Sequence, residues 1–255
     1  MNKRHDLILE RILAAGNVTV TELSRDLNVS EVTIRNDLNK LAEEGQIVRA
    51  RGGARLPRER SREELTFIAR QKLNAEQKAR IGEAAANYII PFDSILLDAS
   101  TTAVAVAQAI TRRDQLRDIT VIATGMWTGI ELLKIPDINI FISGGYARRT
   151  TGSITGAPAR DILKNVNINK AFLGCWGFTL EDGLTDTHLL EIELKKHIIS
   201  VAKEVIAICD GSKFGKTGLA SFAGLEDLTR VITDNSAPKS MIAELRKRDI
   251  DVVIA

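Results

Sequence analysis

The chain has 255 residues, of which 44% are hydrophobic and 27% charged, and its formal net charge is +2. This length accommodates one small and one ordinary domain, each able to bury its own core. The sequence has no run of about 18 apolar residues, and its first ten residues, MNKRHDLILE, lack the apolar segment of a signal peptide. These features exclude a membrane-spanning protein and predict a cytoplasmic one without a membrane partner.

The cysteines and histidines show no pattern typical of metal binding. Cys175 and Cys209 lie in apolar, strand-like runs, where reduced core residues are more common than disulfides. His5, His188 and His197 are far apart in the sequence, and no cysteine or acid cluster surrounds them. We therefore expect no metal site and no cofactor.

The first 43 residues predict three short amphipathic helices. Residues 2–15 form the first, with a core face of Leu7, Ile8 and Ile12, and Gly16 and Asn17 end it. The next two helices carry apolar stripes at helical spacing, made of Leu23 and Leu27 on one and Ile34, Leu38 and Leu41 on the other.

The corner between the second and third helices is short and has a defined chemistry. Asn28 can leave the right-handed helical region, and Val29 can act as a hydrophobic staple. Ser30 can accept hydrogen bonds from the amides that open the third helix. Two short helices joined by such a corner predict a helix-turn-helix.

The outer face of the third helix carries side chains that can read a DNA groove. Arginine can bond two acceptors of a guanine and asparagine can pair with an adenine edge, so Arg35 and Asn36 are the strongest candidates. The other predicted DNA-binding residues of this helix are Ser30, Glu31, Thr33 and Lys40. The alternative is a solvated helix face, which is the commoner fate of a charged stripe.

Gly45 is expected to end the third helix, and residues 46–54 predict a two-stranded wing whose Arg49 and Arg51 contact phosphate or a minor groove. From residue 46 to residue 62 there are six arginines and a single acid, Glu59. Since the overall charge is small, the cationic surface is predicted on the wing and the segment after it. The combination predicts a winged helix that binds double-stranded DNA.

The sequence predicts three segments: a winged helix-turn-helix domain over residues 1–56, a linker or arm over 57–74, and an α/β domain over 75–255. The linker contains Pro57 and dense charge, and Leu65, Phe67 and Ile68 could dock on the large domain. In the large domain, helical segments alternate with short apolar strands, which is typical of a mostly parallel sheet covered on both faces. The predicted strands are residues 94–98, 119–124, 138–143, 171–174, 205–210, 231–234 and 252–254.

Polar residues follow several of these strands, where such sheets bind ligands. Asp98, Ser100, Thr101 and Thr102 follow the first strand and begin a helix, whose amides and hydroxyls suit a phosphate. An ordinary helix cap is the alternative for the hydroxyl residues. Asp98 could orient sugar hydroxyls or could equally cap a helix.

Two further turns contribute to this predicted site. Asp210, Ser212 and Lys213 follow another strand, and Lys213 could supply a counter-charge to the phosphate, although a lone lysine is more often a surface residue. Asp210, like Asp98, could bind sugar hydroxyls or cap a helix. Gly144 and Gly145 follow a third strand and permit close backbone approach. Together the three turns predict a site for a small anionic molecule.

The chain resembles the DeoR family of bacterial transcriptional regulators of sugar metabolism. The resemblance rests on TIRNDLNKLAEEGQIVRARGGA in the first domain and on LLDASTTA, ISGG, AFLG and CDGSKFG in the second. It implies a DNA-binding regulator, expected to be a repressor of a sugar-utilisation operon, with a phosphorylated sugar as effector. Its second domain is similar to ribose-5-phosphate isomerase, which implies an isomerase/CoA-transferase-like fold.

That similarity indicates which positions of this chain would carry the catalytic residues of an isomerase. The isomerase has acidic residues where this chain reads Gly174-Cys175-Trp176-Gly177, and its glutamate base falls near Lys195, which cannot serve as a carboxylate base. Glu191 lies near this position in another helical phase. We include Glu191 and Lys195 among the effector-binding residues and expect no catalytic activity.

We therefore expect a homodimer or homotetramer that binds operator DNA, because paired winged helices match a palindromic site. One alternative is an active sugar-phosphate isomerase with a DNA-binding extension, in which Glu191 would be needed for turnover. Another is an architectural DNA-binding protein that has no small-molecule ligand.

Overall fold

The computed structural model describes residues 3–43, 46–55 and 67–255. The chain folds into two compact units, Met1–Leu73 and Asn74–Ala255. The predicted helix end at Gly45, the predicted docking residue Leu65 and most of the arginine-rich linker lie outside the described residues. No helix within the described ranges is long and apolar enough to cross a membrane.

Short helices and a small sheet make up the first unit. Its elements are α1 (Lys3–Ala15), β1 (Asn17–Thr19), α2 (Val20–Leu27), α3 (Glu31–Glu43), β2 (Val48–Ala50), β3 (Gly53–Arg55) and α4 (Phe67–Lys72). The predicted stripe residues Ile34, Leu38 and Leu41 are buried in one core with Ile8 and Ile12. The periodicity of the sequence therefore predicted the packing of α3 correctly.

The corner between α2 and α3 forms as the local chemistry predicts. Asn28 ends α2 in the left-handed region with φ of 52°. Ser30 caps α3, since its Oγ accepts from the amide of Thr33 at 3.2 Å. At the start of α2, Thr19 and Glu22 form a capping box, in which each side chain accepts from the backbone amide of the other residue.

Three details of this unit differ from the sequence-based expectation. The wing belongs to a three-stranded sheet, because β1 pairs with β3 through Val18 and Ala54. Leu7 is exposed, and Leu9 is buried in its place. Part of the predicted linker is helical, since α4 covers Phe67–Lys72.

The second unit alternates helices and strands over its whole length. The elements are α5 (Ala75–Ala86), β4 (Ser94–Leu97), α6 (Thr101–Ile110), β5 (Thr120–Ala123), α7 (Met126–Leu132), β6 (Asn139–Ile142), β7 (Tyr146–Ala147), β8 (Ile154–Thr155), α8 (Ala157–Leu163), β9 (Ile168–Leu173), β10 (Gly177–Thr179), β11 (Gly183–Asp186), α9 (Leu189–Val201), β12 (Ala202–Ile208), β13 (Ala220–Ala223), β14 (Arg230–Thr233), α10 (Lys239–Lys247) and β15 (Asp251–Ile254).

Seven strands form one sheet in the order β15-β14-β12-β9-β4-β5-β6, and neighbouring strands pair in parallel. This confirms the predicted α/β class with a mostly parallel sheet. Two smaller antiparallel sheets, β10-β11-β13 and β7-β8, were not predicted from the sequence. Their strands have only two to four residues, which is too short for a clear alternation of apolar and polar residues.

The large sheet separates two hydrophobic cores. Along β9, Ala171 and Leu173 face one core and Phe172 faces the other. Along β12, Val205 and Ala207 share the face of Ala171, as expected from the period-two geometry of strands. The sheet is therefore covered on both sides, and polar groups collect where the strands end.

Candidate functional site

The first candidate surface is the outer face of α3. Ile34 and Leu38 are fully buried, whereas Arg35, Asn36 and Lys40 are exposed. Side chains that could bond base edges and phosphates therefore project away from the core of the unit. The structure brings these predicted residues to one helix face, as a recognition helix requires.

Glu31 connects Arg35 to the neighbouring helix. Its carboxylate accepts from Arg35 at 2.8 Å and from the Thr21 hydroxyl at 2.9 Å. The Arg35 side chain is still 55% exposed, so the ion pair is weak and can be replaced by another acceptor. Ser30 and Thr33 share a hydroxyl hydrogen bond of 2.9 Å at the helix start.

The two wing arginines have different surroundings. Arg49 donates to the carbonyl oxygen of Gly53 at 2.9 Å, a contact within the β2-β3 hairpin. Arg51 is exposed at the turn, where Gly52 has φ of 76°. Arg51 is therefore better placed than Arg49 to contact a phosphate without losing a contact inside the protein.

Asp37 is a buried acid of α3 that the sequence analysis missed. Its carboxylate accepts from Arg4 at 2.5 and 3.1 Å and lies 3.0 Å from a ring nitrogen of His5. Burial would raise the pKa of Asp37, but the hydrogen bonds from Arg4 and His5 lower it below its usual value. This cluster joins α1 to α3 and so fixes the orientation of the candidate DNA-binding helix.

The second candidate site lies in the second unit, at the carboxyl ends of β4 and β9. Asp98 is buried there and accepts from the amides of Ser100 and Gly174, both at 2.9 Å. Ser100 in turn caps α6 by accepting from the amide of Ala103 at 3.0 Å. Ser100 therefore has its alternative role as a helix cap, whereas Asp98 fixes the loop before α6.

Lys195 projects from α9 under the same loop. Its ammonium donates to the Gly174 carbonyl at 2.8 Å and to Asp186 at 2.7 Å, and it lies 3.3 Å from Asp98. Burial would lower the pKa of Lys195, but Asp186, Asp98 and Glu191 raise it above its usual value. The ammonium is therefore permanently charged and cannot accept a proton as a general base at neutral pH.

Glu191 lies one turn before Lys195 on α9 and has two partners that the sequence did not indicate. Its carboxylate accepts from Arg148 at 2.5 Å and from the Ser153 hydroxyl at 2.8 Å. Arg148 follows β7 and Ser153 precedes β8, so the small antiparallel hairpin brings both residues to α9. No pattern in the sequence links positions this far apart.

A pocket lies beside these charged groups. It is lined by Ala99, Thr124, Ser153, Ile154, Thr155, Glu191, Leu194, Lys195 and Ile198, and its interior volume is about 10 Å³. That volume holds about one water molecule, so a larger ligand could enter only if the lining opened. Among the described residues, the buried hydroxyl of Thr155 has no hydrogen-bond partner.

The turn after β12 lies two strands away from β4. Asp210 is buried and accepts from the Ser212 amide at 3.0 Å and from the Asn74 side-chain amide at 2.9 Å, which matches its alternative role as a cap. Ser212 is exposed and Lys213 is half-buried. No carboxylate of the described residues forms an ion pair with Lys213.

The predicted glycine turn, Gly144 and Gly145, lies beside Thr155, which lines the pocket. They follow β6, which is an edge strand two places from β4. Their φ angles are 65° and 117°, so the turn does require glycine. A Cβ at Gly145 would lie 2.6 Å from the Thr155 carbonyl oxygen, so this close approach is to the protein's own backbone.

No group of three or more potential metal ligands occurs in the ranges that the structure describes. Cys175 and Cys209 are both reduced there.

A winged helix-turn-helix followed by a separate α/β unit defines a DNA-binding transcriptional regulator with a sensor domain. The chain belongs to the DeoR family: residues 4–60 match the DeoR-like helix-turn-helix domain, and residues 73–235 match the DeoR C terminal sensor domain. The family predicted from the sequence motifs is thereby confirmed.

Relatives that match over nearly the whole chain are named as regulators. The HTH-type transcriptional regulator GolR of Listeria innocua is 35% identical over 99% of this chain and 98% of its own length. The glycerol-3-phosphate regulon repressor of Escherichia coli is 30% identical over 98% of this chain and 97% of its own length. These names confirm the prediction of a transcriptional regulator and are consistent with the expectation of a non-enzyme.

Solved structures show distant similarity. Ribose 5-phosphate isomerase from Plasmodium falciparum has a TM-score of 0.41 and 20% identity, covering 56% of this chain and 54% of the isomerase. The probable sor operon regulator from Shigella flexneri has a TM-score of 0.39 and 10% identity, covering 71% of this chain and 84% of that one.

Proposed function

We propose that the protein represses a sugar-utilisation operon by placing α3 in the major groove of its operator, with Arg35 and Asn36 reading bases. The observation that carries this proposal is the division of α3 into a buried apolar stripe and an exposed polar face. Arg51 and Lys40 would contact phosphates, and Ser30, Glu31, Thr33 and Arg49 would support the helix and wing.

The effector in this proposal is a phosphorylated sugar bound at the strand ends of the second unit. The phosphate binds at the start of α6, because the first amides of a helix have no acceptor within it and the helix dipole favours an anion. Lys213 supplies a second source of positive charge, in addition to the amino-terminal end of the α6 dipole. The β4 and β12 strands lie about 10 Å apart, which favours a sugar phosphate over inorganic phosphate as the ligand that bridges both turns.

The sugar hydroxyls in this proposal contact the groups around the small pocket. Glu191 and the unpartnered Thr155 hydroxyl are hydrogen-bonding groups of the kind that recognise a polyol. Because the pocket is nearly filled, binding must displace part of its lining, which includes Ser153, Ile154 and Thr155 of the β7-β8 hairpin. Such a movement gives two arrangements of the site with different ligand affinity, which effector control requires.

Symmetric assembly is part of the same proposal. A second copy would double the DNA contacts on a palindromic operator. On the second unit, Ile130 of α7 and the C-cap residue Leu133 are exposed, and the neighbouring edge strand β6 exposes Phe141 and Ile142. Exposed apolar groups beside an unpaired strand edge suit burial against the same surface of another subunit.

DNA selection from random duplexes would identify the bound sequence, and Arg35→Ala would then be compared with Arg117→Ala, which removes an exposed arginine of the second unit. We expect Arg35→Ala to weaken specific binding by about 1 to 3 kcal/mol and to relax base preference, whereas Arg117→Ala changes neither. Unchanged discrimination by Arg35→Ala would contradict the proposed DNA-binding face.

The effector is tested by thermal-shift screening of phosphorylated sugars, followed by the Lys213→Ala variant. Lys213→Ala should lose the thermal shift caused by the active sugar phosphate and keep its DNA affinity. A ligand raises the apparent stability of the native state only if it binds, so loss of affinity for the sugar phosphate removes the shift. An unchanged response would place the phosphate elsewhere.

A further inference from the structure

The two cysteines of the chain lie side by side at the ends of neighbouring strands. β9 and β12 are adjacent and parallel, and Ala207 is paired with Leu173 in their ladder. Each cysteine lies two residues beyond this last pair, just past the end of its strand, because β9 ends at Leu173 and β12 ends at Ile208. Neighbouring strands lie about 4.8 Å apart, and disulfides join residues whose Cα atoms are about 4.4 to 6.8 Å apart.

Both cysteine side chains lie against the same hydrophobic core of the sheet. Cys209 directly follows β12 and shares the face of Ala207, as the alternation of side chains along a strand predicts. Leu173, Ala207 and Cys209 belong to one hydrophobic core, and Cys175 packs against that core. The two thiols are in contact through a side-chain hydrogen bond.

The two thiols differ in exposure. Cys209 is 1% exposed, whereas Cys175 is half-buried and can be reached by a small solute. A hydrogen bond with Cys175, together with burial, raises the pKa of Cys209 well above its usual value. Cys209 therefore stays protonated at neutral pH, and Cys175 is the thiol that an oxidant meets.

We propose that Cys175 and Cys209 form a peroxide-sensitive dithiol that closes to an intramolecular disulfide. The Cys175 thiolate attacks one oxygen of hydrogen peroxide and the O–O bond breaks, which gives a sulfenic acid and a hydroxide that takes up the proton released by the thiol. Cys209 then attacks the Cys175 sulfur, the S–OH bond breaks, and the departing hydroxide takes the Cys209 proton. Two thiols lose two electrons, and one peroxide becomes two waters.

The dithiol adjoins the strand-end cluster, which consists of the polar residues Asp98, Asp186, Glu191, Lys195 and Asp210. Cys175 follows Gly174, whose amide donates to Asp98 and whose carbonyl accepts from Lys195. Cys209 precedes Asp210, which caps the turn containing Ser212 and Lys213. A bond between the two sulfurs would fix the spacing of both strand ends. Disulfide formation depends on the geometry of the second unit and is independent of whether the cluster binds a sugar phosphate.

The test treats the reduced full-length protein with hydrogen peroxide, then alkylates and digests it with trypsin without reduction. Cleavage after lysine separates the cysteines into peptides 171–195 and 204–213. We expect a linked pair of these peptides that dithiothreitol separates, from protein that runs as a single chain on a non-reducing gel. Absence of the linked pair, or a link between two chains, would overturn the proposal.

Serine variants assign the order of the steps. In Cys209→Ser, peroxide should leave a Cys175 sulfenic acid that dimedone labels, because the second thiol is missing. In Cys175→Ser, dimedone should label nothing. Cys209→Ala serves as a second variant if serine destabilises the core, and circular dichroism checks the folding of each. Dimedone label on Cys209 in the Cys175→Ser variant would contradict the proposed order of steps. So would the absence of label on Cys175 in both Cys209 variants.

Discussion

The guanidinium of Arg35 lies 2.8 Å from the Glu31 carboxylate, one turn earlier on the exposed face of α3. Glu31 therefore competes with DNA for the residue that we propose as the main base reader. Glu31→Gln keeps the size of the side chain and removes the charge. Since exposed ion pairs contribute up to about 1 kcal/mol, duplex affinity should rise up to about fivefold.

This prediction is measured by fluorescence anisotropy with a labelled duplex at several salt concentrations. Glu43→Gln is the matched control, because Glu43 is exposed at the end of the same helix and removing it changes the net charge equally. An equal gain in duplex affinity for both variants would mean that the gain comes from net charge alone and that Glu31 does not compete with DNA for Arg35.

The Asp37 cluster predicts a pH-dependent stability of the first unit. Asp37 has a lowered pKa when folded, so its contribution is present above the unfolded value of about 3.9 and is lost as the pH falls through the folded value. Asp37→Asn should cost about 1 to 3 kcal/mol at pH 7, because Arg4 loses a charged partner. The difference from the unmodified chain should shrink below about pH 4.

Hydrogen exchange of the α1 and α3 amides reports this effect for the first unit alone. Asp26→Asn is the control, since Asp26 forms an ion pair with Arg11 at 3.1 Å but is 35% exposed. Its effect on α3 exchange should be small. Equal effects of the two substitutions at pH 7 would show that the buried cluster has no special role.

Local patterns explain why much of the first unit was predictable from sequence. The stripe of α3 and the Ser30 cap depend on residues within a few positions of one another, and both were predicted correctly. The role of Asp37 depends on Arg4, 33 residues earlier, so no local pattern indicated it. A charged residue at a core position of a helix is a weak signal that could have suggested a buried partner.

In the second unit, the parallel sheet was predictable because each buried strand forms a continuous apolar run. The contacts within the strand-end cluster could not be predicted, because they depend on two short hairpins. The β10-β11 hairpin brings Asp186 to Lys195, and the β7-β8 hairpin brings Arg148 to Glu191. Asp98 and Asp210 were identified as candidate ligands, but the structure buries both against backbone amides.

Lys195 is the only cation within 4.0 Å of Asp98 among the described residues, and it also pairs with Asp186. Lys195→Met keeps most of the side-chain volume and leaves the buried Asp98 carboxylate without its ion-pair partner. The second unit should lose about 3 to 5 kcal/mol of stability. Lys196→Met is the control, because the adjacent lysine is exposed and its removal should change stability by at most about 0.5 kcal/mol.

Urea unfolding followed by tryptophan fluorescence measures this loss, since Trp127 and Trp176 both belong to the second unit. Asp186→Asn in the Lys195→Met background should restore part of the stability by removing one buried charge. A Lys195→Met protein as stable as the control would show that the ammonium is not required by its carboxylate partners, and that its role lies in ligand binding instead.

Gly174 and Ser100 are so close that the ends of β4 and β9 depend on the glycine. A Cβ added at Gly174 would lie 2.5 Å from the Ser100 Cβ and 2.6 Å from its Oγ. Gly174→Ala should therefore displace the loop that presents the start of α6, at a cost of about 1 to 3 kcal/mol. Ser100→Gly in the same chain removes the clashing atoms, so the double variant should be more stable than the sum of the single effects predicts. Urea unfolding of the two single variants and the double variant measures the coupling, and strictly additive losses would mean that the two strand ends are not in contact in solution.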